Sequence, residues 1–99
     1  SDGLPHYLEA RQLYQRERFA EAAELLATSQ RLGLPTSDIA VEALRVEAVS
    51  RYGANQAAAS RTLWQALLAR HAGPALDAEA DDWLARIADA KAHRAASHP

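Results

Sequence analysis

The chain has 99 residues, 11 Lys and Arg against 13 Asp and Glu for a formal net charge of -2, and no cysteine. That length holds one modest core, and the charge balance argues against a dedicated nucleic-acid binder, which carries a clustered cationic excess. The missing cysteines exclude disulfide scaffolds, thiolate zinc sites and cysteine nucleophiles, and leave cytoplasm and periplasm or cell envelope equally open.

No apolar run approaches the roughly 20 residues of a membrane-spanning helix, and residues 1–20 lack the apolar stretch of a signal peptide. The chain reads as soluble and compatible with being a piece of a larger protein, without membrane insertion. Alanine (24), leucine (13) and arginine (10) dominate, and all three are strong helix formers. The β-branched Val41, Val46, Val49, Ile39 and Ile87 all fall inside helix-period segments, so the expected fold is all-α with no sheet. Arginine outnumbers lysine ten to one, which points to a GC-rich source genome.

The first helix is expected from about Pro5 to Arg16, with Pro5 in the first turn and Tyr7, Leu8, Leu13 and Tyr14 as its apolar residues. A polar Gln15-Arg16-Glu17-Arg18 turn follows. Phe19, Ala22, Ala23, Leu26 and Leu32 form the stripe of a second helix, Phe19 to Leu32, stopped by Gly33-Leu34-Pro35. Thr36, Ser37 and Asp38 are candidate N-caps for a third, which ends at Tyr52-Gly53. Asn55 is the expected N-cap of a fourth, carrying Ala59, Leu63, Ala66, Leu67 and Ala69 and stopping at Ala72-Gly73-Pro74. Asp77 is the expected cap of a fifth, whose stripe is Leu76, Ala80, Trp83, Leu84, Ile87, Ala88 and Lys91. From His93 onward there is no apolar anchor, and the end is expected to fray. Trp64 and Trp83 are expected in the core, with the rim as the alternative for Trp64.

Shifting helices one and two by about 38 residues lays Glu9-Ala10 on Glu47-Ala48, Tyr14 on Tyr52 and Leu25 on Leu63. Stacking hairpins need such a pattern, because one hairpin alone cannot bury its apolar face. The segment 10–22, with Ala10, Leu13, Phe19 and Ala22 in place, resembles the centre of a tetratricopeptide repeat. His6 and Glu9 depart from the first-helix pattern, and the second unit is more degenerate, keeping Gly53 and Ala57-Ala58-Ala59. The junction Leu67 to Pro74 also resembles bacterial envelope-associated tetratricopeptide proteins, among them outer-membrane assembly lipoproteins and repeats appended to anti-sigma factors. The resemblance implies one domain over 1–99: a right-handed α-solenoid fragment of five helices, hairpins at 4–34 and 36–73 and a C-terminal capping helix at 76–95.

Tyr7, Arg11 and Tyr14 fall at i, i+4 and i+7 and share one strip of helix one. By the resemblance that strip faces an inner groove beside Gln15, continued by Ala43, Glu47, Ser50 and Arg51 of helix three. Tyrosine and arginine are enriched at interface hot spots. The competing reading packs the tyrosines between helices, leaves Arg11 solvated and pairs Glu47 with Arg51.

His6, His71, His93 and His98 share no ligand spacing, Asp77, Glu79, Asp81 and Asp82 suit a helix N-terminus, and no serine elbow or glycine-rich phosphate loop occurs. No metal, cofactor or enzymatic activity is expected. The expected function is a protein or peptide-binding scaffold or adaptor using Tyr7, Arg11, Tyr14, Gln15, Glu47 and Arg51. The alternatives are a structural or oligomerisation module of a larger multi-repeat protein, in which further repeats of the same chain are the partner, and a small helical ligand-binding domain.

Overall fold

A computed structural model describes residues 2–97 as five α-helices with no strand among them. The helices are α1 (Leu4–Gln15), α2 (Phe19–Leu32), α3 (Ser37–Gly53), α4 (Ala57–Arg70) and α5 (Pro74–Ser97). The all-α expectation holds, and the α2 boundaries are those read from the sequence. Each helix packs on the next, and α1 also reaches α3. The result is elongated, 50 × 28 × 20 Å with a radius of gyration of 14.1 Å, against about 13 Å for a compact chain of this length.

The turns carry the repeat. After α1, Glu17 adopts a left-handed φ of 59°, its N–H donates to Tyr14 O, and the Arg18 N–H reaches back to Leu13 O at 2.9 Å. After α3, Asn55 has φ 63°, its N–H donates to Tyr52 O, and the Gln56 N–H reaches Arg51 O at 2.8 Å. Both are Schellman closures, which satisfy the last carbonyls of a helix through one left-handed residue. They lie 38 positions apart, the shift that aligns Tyr14 with Tyr52. Asn55 is therefore the left-handed residue closing α3, which asparagine tolerates better than most, and Gln56 takes the N-cap position of α4 without a side-chain cap.

Two other boundaries differ from expectation. Helix α5 starts at Pro74, where a missing N–H leaves nothing unsatisfied. Gly73 O accepts the Asp77 N–H at 3.0 Å, so Asp77 lies in the first turn and is not the cap. The helix also runs to Ser97, past the expected bound at 95 and through the stretch from His93 expected to fray; His98 lies outside the described residues. At α3 the cap is Thr36, whose Oγ1 accepts the Ile39 N–H at 3.2 Å.

Two cores share α3. Tyr7, Ala10, Leu26, Ala43 and Val46 form the first, with Leu4, Tyr14, Leu25, Leu34 and Ile39 packed on it. Ala48, Trp64, Leu67, Ala80 and Ile87 form the second, flanked by Val41, Leu44, Tyr52, Leu63 and Trp83. Ala10, Ala22, Ala23, Ala43, Ala48 and Ala80 are buried, and these small side chains let helix axes approach closely. Gly3 ties the start of α1 to the end of α2. Its N–H donates to Gly33 O at 3.0 Å, and a Cβ there would lie 2.6 Å from that same oxygen.

Trp64 is completely buried, stacked on Trp83 at 5.9 Å between ring centroids, and Trp83 meets Tyr52 edge-on at 5.2 Å. The core placement of Trp64 holds; Trp83 is half-buried. Removing so large a buried side chain leaves a cavity that neighbours refill only in part. Trp64→Ala is expected to lower unfolding free energy by about 3–5 kcal/mol in urea titrations followed by circular dichroism; a loss below about 1 kcal/mol would contradict the packing.

Candidate functional site

The three sides of α3 have different neighbours. Ala43, Val46, Glu47 and Ser50 are buried toward α1 and α2, whereas Val41, Leu44, Ala48 and Tyr52 face the second core. Glu42 and Arg45 occupy the third side, where alternating charges link alternate helices. Arg11 on α1 pairs with Glu42 at 3.2 Å, Glu42 with Arg45 at 2.7 Å, and Arg45 with Glu79 on α5 at 3.2 Å. All four side chains are about one-third exposed, from 28% to 37%. The hydrogen bond to Glu42 holds the Arg45 guanidinium above its ordinary pKa, against the effect of burial, with Glu79 and the Tyr14 hydroxyl adding to it.

Aromatic side chains flank this ladder. Arg11 donates to the Tyr7 hydroxyl at 3.1 Å and lies 5.9 Å from the ring centroid, and Tyr14 packs edge-on against Phe19 at 5.9 Å. On α5, Arg86 stacks over Trp83 at 4.3 Å, a cation–π arrangement that holds a flat guanidinium on an indole face. Tyr7 belongs to the first core, Tyr14 is half-buried, and Gln15 is exposed beside them.

The six residues singled out in the sequence fall into two groups. Tyr7, Arg11, Tyr14 and Gln15 stay together on α1 next to Glu42. Glu47 and Arg51 are turned toward α2: Arg51 pairs with Glu47 at 3.2 Å and Glu24 at 2.9 Å, and donates to Gln56 Oε1 at 2.8 Å. Ala43 and Ser50 do not extend an open strip, because both are fully buried and the Ser50 hydroxyl donates to Val46 O at 2.7 Å. Glu42 and Arg45 continue the face on α3 in their place.

Glu47 is only 7% exposed, and burial pushes its carboxyl above the ordinary 4.5, with Arg51 pulling the other way and Glu24 adding to the rise. For Arg51, burial alone would lower the pKa; the hydrogen bond to Glu24 and the pairing with Glu47 outweigh it, and the net shift is upward.

A further feature lies between α4 and α5. Helix α5 has 24 residues against 14 in α4, and a groove of about 530 Å³ opens where Arg61 and Gln65 face Leu84, Ile87, Ala88 and Lys91. Ala88 and Lys91, expected on the inward stripe of the fifth helix, are exposed at this groove. No group of three or more His, Asp or Glu side chains suited to a metal ion occurs among the described residues, and no helix there is long and apolar enough to cross a membrane.

In comparisons with known proteins, no family model, no curated protein and no solved structure matches this chain.

Two outcomes follow from the charges. Glu42→Gln removes the carboxylate shared by Arg11 and Arg45; because the pairs are partly exposed, the expected loss is about 0.5–1.5 kcal/mol, shrinking in about 1 M salt as screening shortens. A loss unaffected by salt would show that packing, not charge, is responsible. For Glu47, a raised folded pKa means that the folded chain binds the proton more tightly. Its stabilising contribution is present below the unfolded value near 4.5 and is lost as pH rises through the raised folded value. Urea titrations should therefore shift in favour of Glu47→Gln, relative to the parent, between about pH 4 and about pH 7; a shift in favour of the parent would contradict the burial argument.

Proposed function

We propose that this chain is a protein–protein interaction module, a scaffold or adaptor without catalysis, that docks an extended or helical partner segment along the face shared by α1, α3 and α5. The observation that carries the reading is the ladder Arg11–Glu42–Arg45–Glu79 bordered by Tyr14 and by Trp83 under Arg86. Half-buried aromatics bring contact area at small loss of side-chain freedom, and partly exposed charges set the register of a partner. Within this reading Tyr7 holds Arg11 from below, Tyr14 and Gln15 contact the partner, and Glu47 with Arg51, paired on the α2 side, holds α3 in place behind that face. The 38-residue recurrence of the two Schellman turns supports a repeated helical hairpin, the unit from which tetratricopeptide-like arrays are built.

A second reading, as a structural or oligomerisation module of a larger bacterial multi-repeat protein, is favoured by Leu8 and Leu32, which are 54% and 45% exposed.

Affinity capture from a lysate separates them, using Arg11→Ala/Tyr14→Ala/Gln15→Ala and, separately, Arg51→Ala, each checked by circular dichroism. The expected outcome is loss of one defined protein with the triple variant. Identical capture by the parent and the triple variant would contradict the docking face, and a mass that rises with concentration in light scattering, with nothing captured, would establish the second reading.

A further inference from the structure

The α4–α5 groove is a second surface, separate from the face above, and its chemistry is one-sided. Leu84, Ile87 and Ala88 form the apolar floor, and Arg61 and Lys91 stand on opposite helices at its rim. Helix α4 carries no acidic residue. Neither Arg61 nor Lys91 has an ion-pair partner among the described residues, whereas Arg11, Arg45 and Arg51 each meet a carboxylate.

The molecule itself shows what such a seat accepts. Helix α3 lies against α2 and reaches α1, burying Ala43 and Val46 among Tyr7, Ala10 and Leu26 while handing the Glu42 carboxylate to Arg11 of α1. Helix α5 has no such covering helix: its described neighbours are α4 and, through Arg45–Glu79 and Tyr52–Trp83, α3. From Leu84 to Ala95 the groove runs about three helical turns, roughly 17 Å at 1.5 Å per residue.

We infer that the α4–α5 groove is a docking site for an acidic amphipathic helix of a protein partner, its apolar stripe on Leu84, Ile87 and Ala88 and its carboxylates on Arg61 and Lys91. Helix-in-groove recognition places apolar anchors at i, i+3, i+4 and i+7 and leaves flanking positions for charge. Desolvated guanidinium and ammonium groups then select a carboxylate-bearing helix over a basic one.

The test is a titration of ¹⁵N-labelled protein with a synthetic 16-residue helix of leucine, alanine and glutamate in that spacing, and with its counterpart carrying lysine for every glutamate. Binding of the acidic peptide at least about tenfold tighter, with amide shifts at Arg61, Gln65 and 84–95, is expected. Arg61→Glu/Lys91→Glu should reverse the preference; if that variant is unfolded by circular dichroism, Arg61→Gln/Lys91→Gln should abolish it. Absence of binding, equal affinity for the two peptides, or shifts confined to Arg11, Tyr14 and Glu42 would each overturn the inference while leaving the α1–α3–α5 face to its own test. So would a dimer in sedimentation equilibrium that Ala88→Glu dissolves, which would assign the groove to a second copy, or shifts at 84–95 from laurate but from neither peptide, which would assign it to a fatty acyl chain.

Discussion

Helix α3 is the wall that both cores share. Ala43 and Val46 close the first core against Tyr7 and Leu26, and Ala48, with Leu44 and Tyr52, closes the second against Trp64 and Trp83. A 17-residue helix does both by placing a fully buried alanine on each side, Ala43 and Ala48, where neighbouring helices approach, with larger side chains beside them. Every other helix depends on this placement: α1 and α2 pack on each other and otherwise only on α3, and α4 and α5 are anchored to it through Ser60, which donates to Ala48 O at 2.7 Å, and through Tyr52–Trp83.

Burying two sides of α3 leaves one for charge, and this is why the polar face has its form. Glu42 and Arg45 cannot enter either core without the several kcal/mol penalty of an unpaired buried ion, so they meet Arg11 and Glu79 at the surface. The ladder is thus a by-product of packing that leaves an ordered row of alternating charges on one face. Glu47 and Arg51 are the exception: they lie on a core side, and the ion pair with Glu24 and the hydrogen bond to Gln56 accompany the burial and tie α3 to α2 and to the start of α4.

Much of this architecture was legible in the residues. Gly33-Leu34-Pro35 and Phe19 delimit α2, Thr36 caps α3, and the 38-residue shift reappears in Glu17 and Asn55, which adopt the same left-handed turn. The rotation of α3 was not legible, because alanine and serine do not distinguish inside from outside by hydropathy and both flanks of the helix are buried; Ala43, Glu47 and Ser50 therefore read as a continuation of the Tyr7–Arg11–Tyr14 strip that Glu42 and Arg45 supply. The start of α5 was misplaced because Asp77 is a strong cap signal and Gly73-Pro74 reads equally as a break or as a helix start. The groove was hidden because Ala88 and Lys91 continue the stripe of Leu84 and Ile87, which ceases to be covered once α5 outruns α4.

Both tryptophans lie in the second core and none in the first, which allows a direct test of the shared wall. Unfolding in urea is followed simultaneously by tryptophan fluorescence, which reports Trp64 and Trp83, and by circular dichroism at 222 nm, which reports all five helices. If α3 couples the cores, the two curves coincide in midpoint and steepness, as one cooperative transition requires. A dichroism change that precedes the fluorescence change would show that α1 and α2 detach while the second core persists, and would contradict the account.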